Sequence, residues 1–225
     1  MRARGGADLN AWWRFGLAIA APLVHLLFRL RIRGVEHVPS GAAVLAGNHV
    51  SSLDGPLLAI ATGHAARRMT RFLVAAEFFE RARFRWALRL YRQIPLRRGA
   101  GDAAALETAV ATVSAGALAG IFPEGRVNPA PEDGLQAGHR GVARLALTTR
   151  VPVVPVGIWG TQRRWPPRGL RWGRPLRPVV AIVYGAPLRP SGDASSMDDV
   201  QRCKAEIMLA IEARALEARA AAGDA

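Results

Sequence analysis

Several short runs of residues stand out for the chemistry their side chains allow. The first is Asn48-His49-Val50-Ser51-Ser52-Leu53-Asp54, which sets an imidazole five residues ahead of a carboxylate. Imidazole suits proton transfer because it exchanges its proton near neutral pH. A carboxylate on the other ring nitrogen would fix the tautomer and stabilise the imidazolium as it forms. On a continuous helix that spacing turns the two side chains about 140° apart. They meet only if His49 lies on a loop and Asp54 in the first turn of the next helix. Pro56 is welcome in a first turn and puts the helix start where this requires. Asp54 ahead of Gly55-Pro56 also fits a helix N-cap, and His49 fits a structural loop histidine. No Gly-x-Ser-x-Gly elbow is present, so a serine acyl-enzyme has no support. Ser51 and Ser52 read as turn or cap hydroxyls. A His–Asp pair without a protein nucleophile suits direct attack by an acceptor hydroxyl on an activated acyl group.

Other runs supply charge and close backbone approach. Arg97 and Arg98 stand beside Gly99 and Gly101, a pattern that grips phosphate or leaves a solvated arginine pair. In Phe122-Pro123-Glu124-Gly125-Arg126, Glu124 suits a substrate hydroxyl or an arginine, Gly125 admits a ligand to the backbone, and Arg126 adds a cation. The plainer reading is a β-turn with incidental charges. Val151-Pro152-Val153-Val154-Pro155-Val156 reads as a core strand framing the pocket, with prolines that belong at edges or bulges. Residues 163–177 mix six arginines with Trp165 and Trp172 in a proline- and glycine-rich loop. Such a loop suits single-stranded nucleic acid or a membrane interface. His25, His37, His64 and His139 are scattered and receive no role. No metal-ligand spacing occurs, and the lone Cys203 builds neither an intrachain disulfide nor a thiolate metal site.

The elements that must position these residues follow from hydrophobic pattern. Strands are expected at 31–38, 43–46, 71–75, 94–96, 118–122, 151–159 and 179–184, and helices at 57–62, 76–92, 102–117, 138–149 and 198–222. The alternation predicts a single α/β domain with a mixed, largely parallel sheet flanked by helices. The chemically interesting runs all follow predicted strands, as sites in such sheets do. The expected organisation is an N-terminal membrane-associating segment over 1–32, the α/β domain over 33–190 and a C-terminal helix with a frayed tail over 191–225.

Residues 11–28 are apolar but carry Arg14, Pro22 and His25, with Arg29, Arg31 and Arg33 close behind. That is no clean span of about 20 residues, and no small-residue cleavage site marks a signal peptide. A helix lying in the interface, with Trp12 and Trp13 at headgroup depth, is favoured over an amphipathic helix docked on its own domain. This segment also decides the 163–177 loop in favour of a membrane. The chain of 225 residues carries 31 basic and 17 acidic residues, a net charge of +14. Residues from Ser191 on hold 7 acids and 4 bases, so the basic excess lies in the body. A basic body attracts polyanions such as anionic lipid, nucleic acid or a nucleotide-bearing acyl carrier.

Taken in order, the runs resemble the glycerolipid acyltransferase family, typified by bacterial 1-acylglycerol-3-phosphate acyltransferases. Its Asn-His-x-x-x-x-Asp block is matched by Asn48 to Asp54, and its Ile-Pro-x-x-Arg block by Ile94, Pro95 and Arg98. Phe-Pro-Glu-Gly is matched by Phe122 to Gly125, and Val-Pro-Val-x-Pro-Val by Val151 to Val156. The resemblance implies transfer of an acyl group from acyl-CoA or acyl carrier protein, as substrate and not cofactor, to a lysolipid hydroxyl at the cytoplasmic face of a membrane. It makes His49 the base and Asp54 its orienter, with Arg98, Glu124 and Gly125 binding the glycerol phosphate. No nucleic-acid partner is expected. The family continues Phe-Pro-Glu-Gly-Thr-Arg-Ser, whereas this chain continues Arg126-Val127-Asn128. Either Arg126 takes over phosphate binding from one position earlier, with Arg97 compensating, or the acceptor is not a simple phosphate monoester.

Overall fold

Unbroken apolar runs place three strands at the centre of the sheet. The computed structural model describes residues 10–97, 103–167, 169–171 and 173–224. In it, β2 (Ala43–Gly47) and β6 (Val153–Trp159) are buried along their whole length, and β7 (Val179–Tyr184) nearly so. Strands covered on both faces read as continuous apolar runs. Around them lie β1 (Arg29–Arg33), β3 (Thr70–Ala75), β4 (Ile94–Leu96) and β5 (Leu118–Ile121). The seven-stranded order is β1-β7-β6-β2-β5-β3-β4. Only the β6–β7 pair is antiparallel, so the sheet is mixed and largely parallel, as the sequence predicts.

Helices cover both faces. On one side α1 (Ala11–Leu27) and α2 (Asp54–Ala65) bury Val24, Leu57, Leu58 and Ala61 against Leu45, Val156 and Ile182. On the other, α5 (Ala103–Ser114), α6 (Gly141–Thr149) and α7 (Met197–Ala222) bury Val113, Leu145 and Ile207 against Val44 and Val153. The ends of these helices follow local chemistry. The Asn10 side chain accepts the Trp13 N–H at 2.9 Å, and the Ser196 hydroxyl accepts the Asp199 N–H at 3.3 Å. Gly157 lets the α7 backbone lie directly on β6, since a Cβ there would sit 1.9 Å from the Arg214 carbonyl oxygen.

Differences from expectation have local causes. The strand predicted over 31–38 stops at Arg33, because Gly34 takes a positive φ of 70° and a 3-10 turn, Val35–His37, follows. The helix predicted over 76–92 divides into α3 (Glu77–Glu80) and α4 (Ala82–Leu90) at an extended Arg81, which brings the Phe78 and Phe84 rings edge to face at 6.0 Å. Pro155, by contrast, keeps to expectation: it lies mid-strand in β6, but at a bulge. Pairing runs Val156 opposite Tyr184 but resumes with Val153 opposite Leu188, one residue out of step. The missing N–H of Pro155 thus falls in a bulge, where no partner is lost.

Candidate active site

Neighbouring strands deliver the candidate residues to one edge of the sheet. β2 ends into Asn48-His49, β5 into residues 122–125, β6 into Gly160-Thr161 and β4 into Arg97. These are carboxyl ends of parallel strands, where α/β sheets place their sites.

Asn48 continues the sheet with its side chain. Its amide donates to the Ile158 carbonyl at 2.9 Å and accepts the Ile158 N–H at 2.7 Å. That pairing locks the loop at the residue before His49. The His49 N–H donates to Glu124 Oε1 at 2.7 Å, and its carbonyl accepts the Asn128 N–H at 2.7 Å. The imidazole stacks on Phe122 with centroids 4.4 Å apart. With backbone and ring both held, the His49 side chain keeps 18% exposure.

Asp54 is the first residue of α2 and is wholly buried. Its Oδ2 accepts His49 Nδ1 at 2.9 Å and the Val50 and Ser51 N–H groups at 2.7 Å each. Its Oδ1 accepts the Thr161 hydroxyl at 2.6 Å. The carboxylate therefore caps no helix; it draws the preceding loop back over itself and orients the ring. With Nδ1–H on the carboxylate, Nε2 is the basic nitrogen of His49. Helix α2 begins at Asp54, two residues before Pro56, and the loop-plus-first-turn arrangement holds.

Glu124 and its neighbours form the second wall. Glu124 is buried, and its Oε2 accepts the Gln136 N–H at 2.9 Å, so the carboxylate clips two loops together. Burial pushes the Glu124 carboxyl above its ordinary value of 4.5, against the backbone donors Gln136 and His49 that pull it down. Both oxygens face backbone N–H groups, so Glu124 positions His49. Gly125 has φ of 70°, and a Cβ there would lie 2.8 Å from the His139 ring. His139, without a role from sequence, lines this corner and donates its N–H to the Pro123 carbonyl at 2.8 Å. Arg126 is exposed, its Nε donating to Gln136 Oε1 at 2.6 Å, while Val127 is half-buried. Asn128 is buried and braces the loop through the Gly134 carbonyl and the Ala130 N–H.

The structure thus gathers His49, Asp54, Glu124 and Gly125, with the Arg126 side chain on the exposed side of the same loop. Arg98, with Gly99 and Gly101, lies outside the described residues. Ser51 spends its hydroxyl on the Trp165 carbonyl and the Leu53 N–H, the turn role expected of it. The Cys203 thiol is buried in α7, and burial pushes it up to about 11, which suppresses the thiolate.

Thr161 has no signal in the sequence beyond its place two residues past the end of β6. Thr161→Val removes the only donor to Asp54 Oδ1 among the described contacts. A hydrogen bond to a charged group contributes about 1.5–3 kcal/mol. We expect kcat to fall at least about tenfold with acceptor KM unchanged and Thr161→Ser restoring the rate; equal rates for valine and threonine would contradict this role.

A histidine whose Nδ1 rests on a buried carboxylate, at the head of a parallel sheet, is an arrangement that can exchange a proton at Nε2. The chain belongs to the acyltransferase family, whose model matches residues 29–159. An uncharacterized protein of Mycobacterium tuberculosis is 32% identical over 171 residues, covering 68% of this chain and 44% of the relative. A protein of Brassica napus named as a chloroplastic 1-acyl-sn-glycerol-3-phosphate acyltransferase is 28% identical over 148 residues, covering 64% of this chain and 41% of the relative. The chain spans less than half the length of these curated relatives. In fold it is similar to the crystal structure of PlsC, the 1-acyl-sn-glycerophosphate acyltransferase of Thermotoga maritima, with TM-score 0.68 and 24% identity over 92% of this chain and 80% of that one.

Proposed function

We propose that the protein transfers a fatty acyl group from acyl-CoA or acyl carrier protein to the sn-2 hydroxyl of 1-acylglycerol-3-phosphate, giving phosphatidic acid for phospholipid synthesis. The observation that carries this reading is the His49 Nδ1–Asp54 Oδ2 bond of 2.9 Å. His49 Nε2 takes the acceptor hydroxyl proton as the oxygen attacks the thioester carbonyl. The Asp54 carboxylate stabilises the imidazolium. Collapse of the tetrahedral intermediate breaks the carbon–sulfur bond, and the proton passes to the departing thiolate. Arg98 and Arg126 hold the acceptor phosphate, and Glu124 with Gly125 fixes the loop that faces it.

The proposed setting is the cytoplasmic face of the cell membrane, with the 1–32 segment docking on the 33–190 catalytic domain's behalf and the 191–225 helix bracing it. Trp12, Phe15, Ile19, Leu23 and Leu26 of α1 are exposed along one helical stripe, opposite the buried Trp13, Ala21 and Val24. Such a stripe supports peripheral or monotopic docking. Among the described residues no helix is long and apolar enough to cross a membrane.

The half-buried Val127 favours one second reading, the same chemistry on another lysophospholipid or glycolipid acceptor. CoA release, followed with a thiol reagent, tests both. Acyl-CoA with lysophosphatidic acid is expected to release CoA at a rate that collapses in both His49→Ala and Asp54→Ala. Arg126→Ala is expected to raise KM for the phosphate acceptor about tenfold, the value of one charge-assisted contact. Release with another lysophospholipid or a glycolipid acceptor, and none with lysophosphatidic acid, would replace the first reading with the second.

A further inference from the structure

From residue 134 to residue 192 the sequence holds ten arginines and no aspartate or glutamate. One part of that run, the loop after the 3-10 turn Thr161–Arg163, crosses from the catalytic pair to α1. Its inner end is tied to the site. Thr161 bonds Asp54, and the Thr161 carbonyl accepts the Arg164 and Trp165 N–H groups at 3.0 and 3.1 Å. The Trp165 carbonyl accepts the Ser51 hydroxyl at 2.7 Å. The outer end is tied to α1, where the Arg177 guanidinium donates to the His25 carbonyl. Between them Arg164, 6% exposed, donates to the carbonyls of Gly173, Pro175 and Leu176 at 3.0, 2.8 and 2.6 Å. Arg164 thereby holds residues 173–176, which have no ladder partners of their own, against the start of the loop.

Braced in this way, the loop presents Leu170 and Leu176 to solvent, the latter 75% exposed. Arg171, Arg174 and Arg177 flank them and are exposed too. Apolar tips among arginines, on a loop tied through Arg177 to the last turn of α1, match an anionic bilayer surface in both chemistry and charge. Single-stranded nucleic acid is gripped by stacking on aromatic faces, and among the described residues of the loop Leu176 and Leu170 are more exposed than Trp165.

The geometry points to a lipid-contact loop that couples docking on an anionic bilayer to the catalytic pair. Headgroups on Arg171 and Arg174 hold the outer end, and the Arg164 brace carries that constraint through Thr161 and Ser51 to Asp54. The kinetic half of this inference rests on the acyl-transfer reading; the docking half does not.

The test uses the full chain with vesicles of phosphatidylcholine alone, or with about one third phosphatidylglycerol. The protein is expected to co-sediment with the anionic vesicles in a salt-sensitive manner. Arg171→Gln with Arg174→Gln is expected to weaken that binding about 30-fold. Leu170→Ser with Leu176→Ser is expected to weaken binding to both vesicle types. Wild-type turnover should be faster on acceptor in anionic vesicles than on short-chain acceptor dissolved below its micelle concentration. Both double variants should lose that excess and keep the rate on dissolved acceptor. Wild-type vesicle affinity in both variants, or preference for a single-stranded oligonucleotide over vesicles, would overturn the docking. A turnover excess that persists in the variants would overturn the coupling. If the wild type acylates no acceptor, the acyl-transfer reading and the coupling fail, and the vesicle measurements still decide the docking.

Discussion

His49→Ala is expected to lower kcat for acyl transfer by about 10³-fold, the usual worth of a positioned base with its orienting carboxylate. The fold should survive, because His49 is held mainly by its backbone, through Glu124 and Asn128. Asp54 separates orientation from charge. In Asp54→Asn an amide oxygen can still receive the Val50 and Ser51 N–H groups, so the loop persists while the imidazolium loses its counter-charge. We expect a rate loss of about 10²–10⁴-fold with little change in Tm. Asp54→Ala also strands two buried N–H groups, at about 1–3 kcal/mol each, and should lower Tm as well. Rates near wild type in Asp54→Asn, measured by CoA release with circular dichroism as the fold check, would remove Asp54 from the mechanism.

The second large effect is expected at Glu124. In Glu124→Ala the His49 and Gln136 N–H groups lose their acceptor, which costs about 2–6 kcal/mol for two buried donors. His49 then drifts on its loop, and kcat should fall about 10²-fold, in line with the sensitivity of rate to small misplacements. Glu124→Gln gives a pH signature. Burial raises the native carboxyl above 4.5, the value ordinary for the unfolded chain. Between those two values the native state binds more protons than the unfolded one, so stability falls as pH rises through the window. The Tm difference between wild type and Glu124→Gln should therefore shift against wild type from pH 4.5 toward neutrality. A shift in favour of wild type would show that the backbone donors outweigh desolvation.

What the sequence revealed and what it hid have a common physical origin. Continuous valine, alanine and isoleucine runs identify β2, β6 and β7, since strands buried on both faces tolerate little else. His49 and Asp54 were legible because their partnership is local, across one loop and one helix start. The Thr161–Asp54 bond joins residues 107 apart, and only the closeness of β2 and β6 makes them neighbours. Glu124 was visible as an odd carboxylate after a strand, but its partners are backbone N–H groups, which carry no sequence signal. The Arg126-Val127 departure was visible too, and the structure gives it a shape: the cation sits on the outer loop, held by Gln136.

The most direct measurement follows the acyl group itself. Wild-type protein is mixed with acyl-CoA, first alone and then with lysophosphatidic acid, and protein and lipid are both weighed by mass spectrometry. Direct attack assisted by His49 predicts no acyl adduct on the protein in either case. It also predicts one acylated lipid per CoA released once the acceptor is added, and no such product with His49→Ala. A stoichiometric acyl-protein formed before the acceptor arrives, or lipid acylation undiminished in His49→Ala, would contradict it.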